Sequence, residues 1–377
     1  MRVVIIAGES SGDLLGAGLI DAIKKHHPEA RFEGIAGPHM QRSGCTSLYP
    51  MERLSVMGLF EAFGRYLEII PIRRRLARRW IADPPDVFVG VDAPDFNLTL
   101  ELALRAAGIP TVHYVSPAVW AWRRYRLRKI ARAVDHMLVL FPFERDFYQS
   151  HGIPVSFVGH PMADEIPLRP DTAAARAVLG LDSEREWVAL LPGSRVTEVR
   201  FLAEPLVKAA RWLSARRPGV GFIAPLVNAA TRSLFETVLQ QYGKDIDVRL
   251  LEGQARKAMA ASDVVLAASG TATLEALLLK RPMVITYRTK ALTWMIGRHL
   301  FYVDHIGLPN LLAGSEVVPE LLQNDARPEK LGAALLRFLE APELVETLRG
   351  RFTAIHESLK NDASASAAQA VVEIAGA

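Results

Sequence analysis

Short apolar runs alternating with longer helical patterns constrain this chain most. Apolar runs at residues 3–7, 32–36, 86–91, 111–115, 137–140 and 155–158 fill the first half. Others follow at 187–191, 221–224, 248–251, 264–267 and 283–287. This strand–helix alternation argues for parallel strands joined by helices that cover both faces of a sheet. The gaps carry helical patterns, clearest at residues 12–25 and 197–216. The expected fold class is therefore α/β with parallel sheets.

At 377 residues the chain exceeds what one hydrophobic core usually serves, so two domains are expected. The stretch MADEIPLRPDTAAAR, residues 162–176, interrupts the strand–helix rhythm and contains Pro167 and Pro170, as a linker would. The expected division is 1–165, 166–345 and a set of C-terminal helices over 346–377. The Ala- and Val-rich end, 363–374, must pack on something, either the first domain or a partner chain. The single cysteine, Cys45, allows no intramolecular disulfide, which fits a reducing compartment. MRVVIIAG reads as a first strand running into a glycine-rich loop, so no export signal is expected. No run of about 18 apolar residues is present, so no spanning helix is expected. A net charge of +4 does not choose between nucleic acid, anionic lipid and phosphorylated substrates.

In open parallel sheets ligands bind beyond the carboxyl ends of the strands. After the first strand comes GESSGDLLGAG, where Gly8, Glu9, Ser10, Ser11 and Gly12 form either a tight turn or a ligand loop. It is no dinucleotide fingerprint, because the third glycine is missing. After the third run comes VDAPDFN, residues 91–97. Asp92 either caps the next helix or is a candidate general base, costly to bury without a partner. Asp95 or Asn97 is an alternative cap. In the second half PGSR, residues 192–195, precedes a helix. Gly193 allows close approach, Ser194 can donate, and Arg195 can fork onto phosphate oxygens at a helix N-terminus. The stretch AASGTATLEALLLKRPMVI, residues 267–285, offers Ser269, Gly270, Thr271 and Thr273 at a turn. Glu275 lies one turn inside the following helix, with Ala272 where a capping box needs Ser or Thr. It is a helix-dipole partner or an acceptor for sugar hydroxyls.

Two segments join cations to apolar or aromatic residues. Met57, Leu59, Phe60 and Phe63 lead to Arg73, Arg74 and Arg75, a pattern of interfacial segments or of surface helices packed on a sheet. Pro71 is expected to break any single long helix there. Residues 116–135 combine Trp120, Trp122 and Tyr125 with a dense group of arginines, but no nucleic-acid recognition module accompanies them. The serine-nucleophile elbow G-x-S-x-G is absent at Ser269, as are a Walker A loop, H-E-x-x-H and zinc-spaced Cys/His.

Two α/β domains with anion loops in the second and a strand-end acid in the first suggest a nucleotide-sugar glycosyltransferase. AGESSGD, VGVDAPDFN, HYVSPAVWAWR, LLPGSR, PLVNA, ASGTATLEALL and GLPNLLAG, in this order, closely resemble the motifs of lipid-A-disaccharide synthases. The resemblance implies a GT-B-like fold, two Rossmann-like domains with parallel sheets facing a cleft. It implies an inverting, metal-independent hexosyltransferase without a cofactor. Its donor would be UDP-2,3-diacylglucosamine, its acceptor 2,3-diacylglucosamine 1-phosphate (lipid X), and its products the β-1,6-linked disaccharide 1-phosphate and UDP. It implies a peripheral protein on anionic lipids at the cytoplasmic face of the bacterial inner membrane, with no nucleic-acid partner; a homodimer stays open. Asp92 matches the family's proposed base, and Arg195, Glu275 and Asn310 fall in its nucleotide-sugar motifs. A UDP-sugar epimerase and a non-catalytic lipid- or nucleic-acid-binding protein are the rival classes.

Overall fold

The computed structural model describes residues 1–54, 61–290, 294–295 and 301–376. Met57, Leu59 and Phe60 lie outside the described residues, and so does the side chain of Phe63. The chain divides into two compact units: Met1–Asp164 with Leu359–Ala377, and Glu165–Ser358.

The first unit holds a seven-stranded sheet: β1 (Arg2–Ala7), β2 (Arg31–Ile35), β3 (Cys45–Ser47), β4 (Val87–Val91), β5 (Thr111–Tyr114), β6 (His136–Val139) and β7 (Val155–Phe157). Among the described residues every strand pairing is parallel, in the order β3-β2-β1-β4-β5-β6-β7. The second unit holds six parallel strands: β8 (Trp187–Leu191), β9 (Gly221–Leu226), β10 (Val248–Glu252), β11 (Val264–Ala268), β12 (Met283–Tyr287) and β13 (Glu320–Leu322). Their order is β10-β9-β8-β11-β12-β13. The α/β class with two parallel sheets is thus as expected. Central strands β4, β8 and β11 are buried at every residue, as burial on both faces requires. Each sheet reverses its winding once, between β1 and β4 in the first and between β8 and β11 in the second. At such a switch point the two neighbouring loops diverge to opposite faces and leave a crevice.

All eleven expected strands are present. The two unexpected ones, β3 and β13, are edge strands of three residues each. Neither carries an apolar run; each is a strand because a neighbour supplies its hydrogen bonds. Pro71 does not break its helix: Glu61–Ala82 runs through it. Pro71 is exposed, so water can take the carbonyl left without a donor. Ile69, Ile72, Leu76 and Trp80, at three- and four-residue spacing, bury the opposite stripe in the core of the first unit. The indole N–H of Trp80 donates to Glu33 Oε1 at 2.9 Å, and Arg79 bonds the other oxygen at 3.1 Å.

The C-terminal helix Ala363–Ala375 packs on helix Ser10–His26 through Ala363, Ala367, Ala368 and Val371. Asp164 ties its start. The carboxylate accepts from the backbone N–H groups of Asn361 (3.2 Å), Asp362 (3.1 Å) and Ala363 (2.7 Å). Asp164→Ala leaves three amides without this acceptor. It is expected to destabilise the first unit by about 1–3 kcal/mol and to speed cleavage near residue 361 in limited proteolysis. Unchanged proteolysis and melting would show that packing alone holds the helix.

Candidate functional site

The loops singled out in the sequence lie at the two switch points. In the first unit, the loop after β1 meets the loop after β4. A Cβ at Gly8 would lie 2.7 Å from Ala93 Cβ, so only glycine allows this approach. Glu9, Ser10 and Ser11 are exposed, and Gly12 is buried against Ala7 and Val91. Asp92 and Ala93 both adopt left-handed backbone conformations, with φ of +50° and +43°. Non-glycine residues held there cost about 1–3 kcal/mol each and persist where surroundings over-determine them. The half-buried Asp92 carboxylate has no hydrogen-bond or ion-pair partner among the described residues.

Neither alternative cap serves helix Pro94–Ala106, whose N-cap position is Ala93. Asp95 instead pairs with Arg126 at 2.6 Å. The buried Asn97 donates its amide to Asp92 O at 2.8 Å.

Beside this, the segments after β5 and β6 bring together a buried acid and aromatic rings, and sequence reasoning missed the acid. Val115 has φ +80°, an outlier for a β-branched residue. Glu144, buried, accepts from Trp120 Nε1 at 3.0 Å and from Phe141 N at 3.2 Å. Desolvation outweighs these bonds and pushes its carboxyl up to about 7. Trp120 stacks edge-on with Phe143, which lies parallel to Phe141. The arginines of this region are partly engaged: Arg123 lies over Trp122 and Lys129 donates to Thr99 Oγ1 at 2.7 Å. On the helix Glu61–Ala82, Arg73 reaches Asp95 O at 3.4 Å, Arg75 reaches Tyr49 at 3.3 Å, and Arg74 is exposed.

In the second unit PGSR follows β8 and SGT follows β11, and the two loops line one cavity of about 340 Å³. Gly193, Ser194 and Arg195 stand on one side; Ser269, Gly270 and Thr271 stand on the other. Gly193 has φ +108°, and a Cβ there would meet Glu198 Oε2 at 2.5 Å. Glu198 itself is unanticipated. Its Oε2 accepts from the backbone N–H of Ser194 (3.0 Å) and Arg195 (3.2 Å), and its Oε1 from the Arg195 guanidinium (3.2 Å). A carboxylate of the chain thus occupies donors at the start of helix Val196–Ser214, which demonstrates their anion affinity. The only sequence signal is an acid three residues into the helix. Arg195 is 80% exposed, so its guanidinium can turn to an incoming anion at little cost.

Three expected donor contacts are committed elsewhere. The Ser269 hydroxyl donates to Ile306 O at 3.1 Å, and that of buried Thr273 to Gly270 O at 2.7 Å. Neither hydroxyl proton is available to a ligand, whereas Ser194 and Thr271 are exposed. Asn310 is corrected further. Its buried amide donates to Val318 O (2.8 Å) and Glu320 Oε1 (2.7 Å), and accepts from Val317 N (2.8 Å) and Val318 N (3.0 Å). With these bonds made, Asn310 builds the loop to which Ser269 is tied and does not reach out of it. Glu275 Oε1 is bonded by Arg256 Nε at 2.5 Å, and Arg256 also contacts Glu165 at 3.3 Å. Among the described residues no three His, Cys, Asp or Glu side chains group as metal ligands, and no helix is long and apolar enough to cross a membrane.

Against known proteins, the family model for lipid-A-disaccharide synthetase matches residues 3–374. The chain belongs to the lipid-A-disaccharide synthetase family. The lipid-A-disaccharide synthase of Alkalilimnicola ehrlichii is 54% identical over 378 residues, covering 100% of this chain and 99% of the relative. That of Escherichia coli K12 is 48% identical over 375 residues, covering 100% and 98%. Family members are glycosyltransferases of lipid A biosynthesis, so the rival of a non-catalytic binding protein falls away. In fold, the chain is similar to the UDP-GlcNAc 2-epimerase of Neisseria meningitidis bound to UDP-GlcNAc, at TM-score 0.66, 15% identity and 99% coverage of each chain. It is likewise similar to an Anabaena protein in complex with UDP-glucose, at TM-score 0.58, 15% identity and coverage of 99% and 98%. At that identity the likeness is one of architecture, shared by epimerases and transferases of this synthetase family's GT-B-like fold.

Burial of Glu144 makes a pH prediction. Its folded value is raised from 4.5 to about 7, so the stability linked to its neutral form is full below 4.5 and is lost as pH rises through 7. Thermal melts of wild type and Glu144→Gln should diverge across that window, the variant gaining on wild type by up to about 1.4 kcal/mol per pH unit. Parallel pH profiles would show that Glu144 ionises freely.

Proposed function

We propose that the chain joins the 2,3-diacylglucosamine of UDP-2,3-diacylglucosamine to O6 of 2,3-diacylglucosamine 1-phosphate (lipid X), with inversion, releasing UDP. The observation that carries the reading is that the second unit holds a cavity lined by Arg195 and a helix start, while the Asp92 carboxylate in the first has no partner among the described residues.

Asp92 takes the proton of the acceptor 6-hydroxyl as that oxygen attacks the anomeric carbon. The C1–O6 bond forms while the bond from C1 to the diphosphate oxygen breaks, and its electron pair leaves with UDP. One displacement inverts the centre, so one base suffices and no glycosyl-enzyme forms. Charge gathering on the diphosphate is met by Arg195 and by the amides at the start of helix Val196–Ser214. To reach those groups the diphosphate displaces the Glu198 carboxylate from Arg195. Gly193 and Gly270 leave the cavity walls without side chains, and Ser194 and Thr271 offer exposed hydroxyls. Glu275 keeps Oε2 for the ribose hydroxyls while Arg256 orients the carboxylate through Oε1. Gly8 to Gly12, beside Asp92, form the acceptor loop.

The reading extends to location: a peripheral enzyme at the cytoplasmic face of the inner membrane. It is supported by the arginine-rich exposed face of helix Glu61–Ala82, which carries Arg74, Arg75, Arg78 and Arg79. Cations there attract anionic headgroups, and the apolar residues before them would accept acyl chains.

The test is UDP release that requires both diacylated sugars; release from, or epimerisation of, a UDP-sugar alone would overturn the reading. Asp92→Asn should keep UDP affinity and lower turnover about 10²-fold or more, the scale of general-base catalysis. Near-normal turnover removes Asp92 as the base. Arg195→Ala should weaken UDP binding in calorimetry about tenfold or more, the loss of one charge-assisted contact; equal affinity would place the diphosphate elsewhere.

A further inference from the structure

We infer that Asn97 is the positioning residue for Asp92, held in place by a buried Glu101–His113 clamp across β4 and β5. The inference rests on the reading of Asp92 as the base.

A side chain that removes a proton must be aimed, yet among the described residues no side chain or backbone group bonds the Asp92 carboxylate. Its direction is therefore set by its backbone, which lies in a left-handed conformation together with that of Ala93. The buried Asn97 amide nitrogen faces three carbonyl oxygens: Asp92 at 2.8 Å, Ile6 at 3.4 Å and Val91 at 3.5 Å. Ile6 is on β1, and Val91 ends β4. One amide thus ties the ends of the two strands that bound the switch point to the turn that carries Asp92. Asn97 Oδ1 is buried without a hydrogen-bond partner among the described residues, so the amide's bonding falls on the donor side.

What keeps Asn97 over the strand lies one helical turn on. Glu101 shares a helix face with Asn97, four residues away. Its Oε1 lies 2.7 Å from Nδ1 of His113, and both side chains have zero exposure. His113 is in register with Gly90 on the neighbouring strand. A Cβ at Gly90 would lie 2.2 Å from Glu101 Oε1 and 2.9 Å from Asn97 Cβ. Gly90 is therefore the notch that lets helix Pro94–Ala106 settle onto the sheet, with Glu101 reaching over it to His113. A hydrogen-bonded pair this deep is costly to separate and fixes the height of the helix. The helix start, Asp92–Ala93, cannot turn without breaking one of these ties. The Asp92 side chain alone is left unbonded, as a group meant for substrate would be.

A role acting only through Asp92 is distinguishable from general support of the fold by a double-mutant cycle. Asn97→Ala should lower kcat about tenfold or more, the scale of a misplaced catalytic group, with KM for both sugars and UDP affinity unchanged. In the Asp92→Asn background the same substitution should have no further effect on kcat. Equal losses in both backgrounds, or loss of UDP affinity alongside kcat, would overturn the inference. Should Asn97→Ala melt below the assay temperature, Asn97→Leu, which fills the site without a donor, is put through the same cycle, and unchanged kcat there also overturns it. Failure of the base assignment is separate: it shows as near-normal turnover in Asp92→Asn alone.

Discussion

A parallel strand buried on both faces can carry no ligand-binding polar group along its length, and this constraint governs where chemistry occurs in the molecule. β4, β8 and β11 are buried throughout. Polar groups are consequently exported to the loops at the strands' carboxyl ends, where helix N-termini also gather. At a switch point the two neighbouring loops diverge, which favours a crevice between them. Gly8 and Asp92 belong to one pair; PGSR and SGT form the other. Both units solve the same packing problem with one reversal of winding, and in the second unit the two loops line a cavity.

Three acids at these loops illustrate how environment sets use. Glu198 is spent on two backbone amides and Arg195, and so marks an anion position that a ligand must contest. Glu275 is half committed, to Arg256. Asp92 is uncommitted, on a backbone that is strained and closely tied. Free amides at a helix start attract any anion, whereas a carboxylate without partners keeps its lone pairs for a substrate proton. The same contrast is the basis on which binding is proposed for the second unit and proton removal for the first.

Sequence periodicity located the long central strands because their burial on both faces writes an unbroken apolar run. It did not locate β3 and β13, whose three residues pair only because an edge is available. It misjudged Pro71, because one lost hydrogen bond on the exposed side weighs less than the buried stripe Ile69, Ile72, Leu76 and Trp80. Among site residues, glycines and strand-end acids were legible from their position after a strand. Ser269, Thr273 and Asn310 were expected to contact the donor, but hydroxyl and amide side chains bond inward or outward equally well. Their partners Ile306, Gly270 and Val318 decide which; Gly270 is a local partner at the helix start, whereas Ile306 comes from a distant loop.

By itself, then, the amino-acid order determined the alternation of strand and helix and the loops where polar residues collect. These follow from local periodicity and from the cost of placing polar groups in buried strands. Tertiary structure alone decided which loops become neighbours, which hydroxyls stay free, and that Asn97, Glu101 and His113 converge behind Asp92. That convergence depends on the register of β4 with β5 and on the absence of a side chain at Gly90. Strand register is a pairing between distant segments, and no local pattern in either segment encodes it.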